Sequence, residues 1–125
     1  MAKVWYSLRP NEIIKKAKDK GFKDFDDMRQ EFNFRPLLDV GHLKISSKTL
    51  RLNFKEEFDN FSHHTDFIQL SDNNGISDQN YKLKENGLIF NKIKSLKKKK
   101  MTYSIEVYGK VKNFLDTIKT LKKIT

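Results

Sequence analysis

The last quarter of the chain limits what it can fold into more than any other feature. Residues 92–125 carry eleven lysines against two acids, a net charge of +9, whereas residues 1–91 are nearly balanced at +1 of the total +10. Lysines at that density must face water, so this quarter can give a core one narrow apolar stripe and little more. Val111, Phe114, Leu115, Ile118 and Leu121 supply that stripe at helical spacing, with lysines on the outer face. Lys92 to Lys100 holds six lysines in nine residues and reads as an exposed basic loop ahead of a strand at Met101–Tyr108. Like charges gathered on one surface destabilise the compact state. Such a surface is tolerated where it meets something negative, most often a phosphate backbone.

The remaining composition sets the scale. With 125 residues, 37% of them hydrophobic, and ten Phe, four Tyr and one Trp, the chain supports one modest core. The expected organisation is a single domain, 1–125. It comprises a helical part at 1–35, an antiparallel sheet at 36–108 that includes the basic loop 92–100, and a C-terminal helix at 109–125. The absence of cysteine excludes thiol catalysis, cysteine-ligated zinc, iron–sulfur clusters and disulfide scaffolds. The N-terminal stretch has no apolar core of a signal peptide, and no run approaches the roughly 20 apolar residues of a membrane span. A soluble protein acting in the cytoplasm, its own or that of a target cell, is expected, with no membrane partner.

Local patterns give the element order. Val4–Leu8 reads as a short strand or an anchoring arm. Pro10 and Gly21 bracket one short helix, and Asp24 caps a second through Phe25, Met28 and Phe32. Leu43 and Ile45 alternate with Lys44, and Leu50, Leu52 and Phe54 alternate with Arg51 and Asn53, which predicts two antiparallel strands joined by a turn at Ser46–Lys48. Phe54, Phe58 and Phe61 fall on one helical face, and Thr65–Leu70 reads as a further strand. Asp72–Gly75 is a loop. Glu85-Asn86-Gly87 between Tyr81–Lys84 and Leu88–Phe90 predicts a hairpin, with a helix through Ile89, Ile93 and Leu96 as the rival. The fold class is therefore α+β: two short N-terminal helices, an antiparallel sheet of four to six strands and a C-terminal amphipathic helix.

The charge points to a nucleic acid. Lys92, Lys94, Lys97, Lys98, Lys99, Lys100, Lys110, Lys112 and Lys119 form the candidate binding surface. Lysine is a point charge and tracks the phosphate backbone without reading bases. RNA, tRNA among the choices, is the expected partner. Only three histidines exist, His42, His63 and His64. RNA cleavage needs no cofactor when one group takes the 2′-hydroxyl proton, another protonates the leaving oxygen, and a cation steadies the phosphorane. His63 and His64, with Lys44 or Arg51 from the neighbouring predicted strands, would supply that set. Asp39-x-x-His42 followed by His63-His64 resembles HNH-type nuclease toxins, and that resemblance implies a His pair preceding further metal ligands. No histidine follows residue 64, so the second ligand set is missing and no metal is expected.

The segment Thr49-Leu50-Arg51-Leu52-Asn53-Phe54-Lys55-Glu56-Glu57-Phe58-Asp59-Asn60-Phe61-Ser62-His63-His64 resembles part of the barnase–EndoU–colicin–RelE class of small phage- and toxin-associated ribonucleases. The resemblance implies two N-terminal helices before an antiparallel sheet, metal-independent RNA cleavage, and His63 at the catalytic position. A cognate immunity or inhibitor protein would be a second partner. Two other functions stay open on the sequence: a non-catalytic RNA- or DNA-binding protein that uses the same lysines, and a phage or plasmid protein that inhibits an acidic partner.

Overall fold

Four short strands frame the described structure, and long connections let them run the same way. The computed structural model describes residues 30–31, 35–96 and 100–125, and the backbone of 5–6. The helices expected at Pro10–Gly21 and Asp24–Phe32 lie outside these residues, except where the second overlaps 30–31. Strand β1 (Trp5–Tyr6) pairs with β2 (Arg35–Asp39), β2 with β3 (Phe67–Leu70), and β3 with β4 (Thr102–Ile105). Every pair is parallel and the spatial order is β1-β2-β3-β4. Between β2 and β3 run helices α1 (Val40–Thr49) and α2 (Phe54–His63). Helix α3 (Leu88–Lys94) lies between β3 and β4, and α4 (Val111–Lys122) follows β4. The protein is thus mixed α/β with a parallel sheet, and the antiparallel sheet predicted from the sequence is not present among the described residues.

The reason lies in two misread segments. Leu43, Lys44 and Ile45 sit in α1, whose buried residues are Val40, Gly41, Leu43, Ser46 and Ser47. That set follows a helical period, but three of its five members are Gly or Ser, so the stripe is invisible to a hydrophobicity pattern. Asp39 begins the helix by accepting a hydrogen bond from the His42 backbone N–H at 3.0 Å. Leu50 and Leu52, the apolar half of the predicted second strand, remain 42% and 37% exposed in the loop after α1. The Glu85–Gly87 turn opens a helix in place of a hairpin. The Asn91 N–H donates to the Gly87 carbonyl at 3.0 Å, and Ile89, Phe90 and Ile93 are buried.

Other segments follow their patterns. In α2, Phe54, Phe58 and Phe61 enter the core, and Asn53 caps the helix by accepting from the Glu56 N–H at 3.1 Å. The core collects Leu38, Ile68 and Leu70 from the sheet with Val40, Leu43, Phe58, Phe61, Ile89, Ile93 and Leu121 from the helices. The strand register aligns Leu38, Ile68 and Tyr103 on the covered face, and Leu37, Phe67 and Thr102 on the other. Leu38 and Ile68 are fully buried, whereas Leu37, Asp39, Phe67 and Gln69 are only half-buried. Helices α1 to α4 therefore pack on one face of the sheet. Residues 88–94 are helical, which removes Lys92 and Lys94 from the predicted loop. In α4 the stripe is only partly used: Thr117 and Leu121 are buried, Ile118 is half-buried, and Val111, Phe114 and Leu115 stay exposed.

Candidate functional site

In a parallel sheet wound with helices, the carboxyl ends of the strands and the loops beyond them form the usual ligand site. Here that edge carries Asp39 at the end of β2, Asp72 and Asn73 just past β3, and Glu106 just past β4. Helix α1 starts at the same edge and adds His42 and Lys44.

His42 is held between two carboxylates. Its Nδ1 lies 3.2 Å from Asp39 Oδ2, and its Nε2 lies 2.6 Å from Asp78 Oδ2. Asp78 comes from the loop that follows β3. The Asp39 carboxyl is pushed above its usual range, chiefly by burial. The His42 N–H and the His42 charge oppose this, while the negative charges of Asp78 and Glu106 reinforce it. An imidazole with carboxylates at both nitrogens donates to both only in its cationic form; as a neutral ring it must accept at one. It can therefore take a proton on one side and release one on the other.

Lys44 belongs to a different cluster. Positions two apart on a helix diverge, and the Lys44 ammonium turns to Asp72 Oδ1 at 2.9 Å and the Asn73 carbonyl at 2.5 Å. Asp72 is 4% exposed and also accepts from the Asn73 and Lys84 N–H groups at 2.8 and 3.1 Å. An antiparallel bridge between Asp72 and Tyr81, with N···O distances of 2.9 and 2.8 Å, closes the loop that carries Asp78. Asn73 ties this loop to α1 by donating to the Gly41 carbonyl at 2.9 Å. Gly41 permits the approach, since a Cβ there would lie 2.6 Å from Ser71 Oγ. A cleft of about 280 Å³ beside this clasp is lined by Lys44, Asp72, Asn74, Tyr81, Lys82 and Lys84 among others.

The other sequence-derived residues lie elsewhere. His63 ends α2 and is exposed, and its ring meets that of His64 edge-on with centroids 4.9 Å apart. Both precede β3, at the amino end of the sheet. There, Thr65 Oγ1 donates to the Pro36 carbonyl at 2.5 Å, and Arg35 pairs with Asp66 at 2.5 Å. Strand β3, four residues and roughly 13 Å long, lies between that edge and the partners of Lys44. Arg51 is exposed in the loop between α1 and α2, with a left-handed φ of 55°. Lys44 and the histidine pair are therefore not brought together.

Several lysines of the basic quarter have acidic partners. Lys92 reaches Asp59 at 2.5 Å and lies 5.6 Å from the centre of the Phe58 ring. Lys112 and Lys82 share Asp116 at 3.0 and 3.3 Å, and Lys123 meets Glu85 at 3.2 Å. Lys94, Lys100, Lys110 and Lys119 are exposed. Lys97, Lys98 and Lys99 lie outside the described residues. Among the described residues, no three His, Asp or Glu side chains converge as a metal cage, and no helix is long and apolar enough to cross a membrane.

On the residues alone Asp39-x-x-His42 resembles an incomplete metal motif. The usable signal was Asp39 as a helix cap directly after a short apolar run. Nothing local marked Asp78 or Glu106. Comparison of the chain with protein-family models, curated proteins and solved structures returned no match.

Proposed function

We propose that the carboxyl edge around His42 is a proton-transfer site for a small hydroxylated substrate, and that the chain is the catalytic part of an α/β enzyme. The observation that carries this reading is the imidazole of His42 bridged by Asp39 and Asp78 at the end of a parallel strand. Asp78, the more exposed carboxylate, meets the substrate hydroxyl and passes its proton on to Nε2 of His42, and Asp39 orients the ring through Nδ1 and balances the resulting imidazolium. Asp39, Asp78 and Glu106 outnumber the single imidazole, so an anionic group is disfavoured at this point and a hydroxyl or a cation is favoured.

A second reading keeps the basic quarter in use. Exposed Lys94, Lys100, Lys110 and Lys119 support binding of RNA or another polyanion. Cleavage of that RNA by His63 and His64 would have to proceed without Lys44, which is bonded to Asp72.

Histidine-labelled protein distinguishes these readings. Ring signals of the three histidines are followed by NMR while sugars, polyols and amino alcohols, and separately total tRNA, are added. The proton-transfer reading expects a small hydroxylated compound to move His42, with the response lost in Asp78→Asn. Shifts confined to His63 and His64 on adding tRNA would favour the nuclease reading instead.

A further inference from the structure

The loop that follows β3 borders two places of opposite charge. At one, His42 faces Asp39 and Asp78. The other is the cleft of about 280 Å³, where Lys44, Lys82 and Lys84 stand against a single carboxylate, that of the buried Asp72. The cleft is lined by described residues throughout, and His42, Asp39 and Asp78 are not among them. A concave surface lined by one sign of charge focuses the field, so the cleft attracts an anion where the His42 centre repels one.

Each of the three lysines keeps donor capacity for such a ligand. The Lys44 ammonium has three N–H groups. Asp72 Oδ1 at 2.9 Å and the Asn73 carbonyl at 2.5 Å take two of them, which fixes the group in place and leaves the third. Lys82 reaches Asp116 at 3.3 Å, but that carboxylate also holds Lys112 at 3.0 Å, so Lys82 can turn to a ligand without stranding a charge. The backbone N–H of Lys84 is bonded to Asp72, while its ammonium has no acidic partner among the described residues. Lysine meets phosphate as a point charge, and three of them suit the dianion of a phosphomonoester.

The rest of the wall is shaped for an organic group beyond the phosphate. Tyr81 is 54% exposed, and its hydroxyl accepts from Gln79 Nε2 at 2.8 Å, which sets the ring. Leu88 adds a half-buried apolar surface. Asn74 accepts through Oδ1 from the Ile76 and Ser77 N–H groups at 2.9 and 3.2 Å, which leaves Nδ2 to donate. A flat ring stacks on an exposed tyrosine whatever its identity. The volume lies at the lower end of the roughly 300–1,000 Å³ usual for small-molecule sites, which suits one nucleotide and not a dinucleotide. We propose that this cleft binds a nucleoside monophosphate, its phosphate among Lys44, Lys82 and Lys84 and its base on Tyr81. The site does not rest on the proton-transfer reading of His42.

The test is isothermal titration calorimetry of the full chain in about 0.1 M salt. The probes are adenosine and uridine 5′-monophosphates, the two nucleosides, inorganic phosphate and a short single-stranded RNA. The proposal expects one saturable site for a nucleotide, with the nucleosides and inorganic phosphate each at least tenfold weaker. Lys84→Ala, Lys82→Ala and Tyr81→Leu should each weaken the nucleotide about tenfold with an unchanged far-ultraviolet circular dichroism spectrum, whereas Lys55→Ala on the exposed face of α2 should not. No saturable binding of either nucleotide up to about 5 mM overturns the proposal. Inorganic phosphate bound as tightly as a nucleotide overturns it too, because the base would then add nothing. Nucleotide binding indifferent to all three cleft variants places the ligand elsewhere and overturns it. RNA bound while neither nucleotide is would assign phosphate binding to an extended basic surface and not to this cleft.

Discussion

The two ends of the sheet treat the chain's histidines in opposite ways. At the carboxyl end His42 of α1 is held by carboxylates at both nitrogens, one of them Asp78 from the loop closed by the buried Asp72. At the amino end His63 is exposed, and its described contact is edge-on with another imidazole. Both ends lie within one small sheet, so the difference comes from what the chain does after each strand. Past β3 a polar loop folds back over α1 and brings charge to the strand ends. Before β3 a helix simply runs out. Adjacency in sequence made His63-His64 conspicuous, whereas the better-organised histidine has its partners three and thirty-six residues away.

The largest effect expected from breaking this contrast is at Asp72. Asp72→Ala removes the acceptor of the Lys44 ammonium and two backbone N–H groups at a buried position. It should cost about 3 kcal/mol in urea unfolding, in the range for breaking a buried pair. Next comes Gly41→Ala, whose methyl would meet Ser71 Oγ at 2.6 Å. The α1–loop packing must shift, and a loss of about 2 kcal/mol is expected by the same measurement.

Asp39 sharpens the comparison by separating stability from chemistry. Asp39→Ala removes a helix cap and should cost about 1 kcal/mol, while Asp39→Asn keeps the cap and should cost only a few tenths. Burial holds the folded-state carboxyl protonated to higher pH than in the unfolded chain, so the folded state binds more protons between the two pKa values. Stability from this group is therefore complete below the unfolded value and is lost as pH rises through the raised folded value. Denaturant titrations across the acidic range should show that decline in the wild type and a flatter profile in Asp39→Asn. The smallest effect is at the amino end, where His63→Ala should change stability by no more than about 0.5 kcal/mol. A loss above 2 kcal/mol there would erase the contrast.

Patterns confined to one element were legible from the residues alone. Phe54, Phe58 and Phe61 announce α2, Asp72–Gly75 is a loop, and Thr65–Leu70 and Met101–Tyr108 contain strands, because burial on one side repeats with the period of the backbone. The concentration of lysine in residues 92–125 was equally plain, and with it the exposure of Lys94, Lys100, Lys110 and Lys119. Strand direction was not legible. A strand of four or five residues looks the same whether its neighbour runs with it or against it, and only the packing of α1, α2 and α3 as crossovers makes these parallel. Helix α1 was hidden because Gly41, Ser46 and Ser47 face the core, chosen for close approach and not for hydrophobicity. The His42 centre was hidden for a related reason. Asp39, His42 and Asp78 meet through a loop anchored by Asp72 and Tyr81, and a contact of that span belongs to no local period.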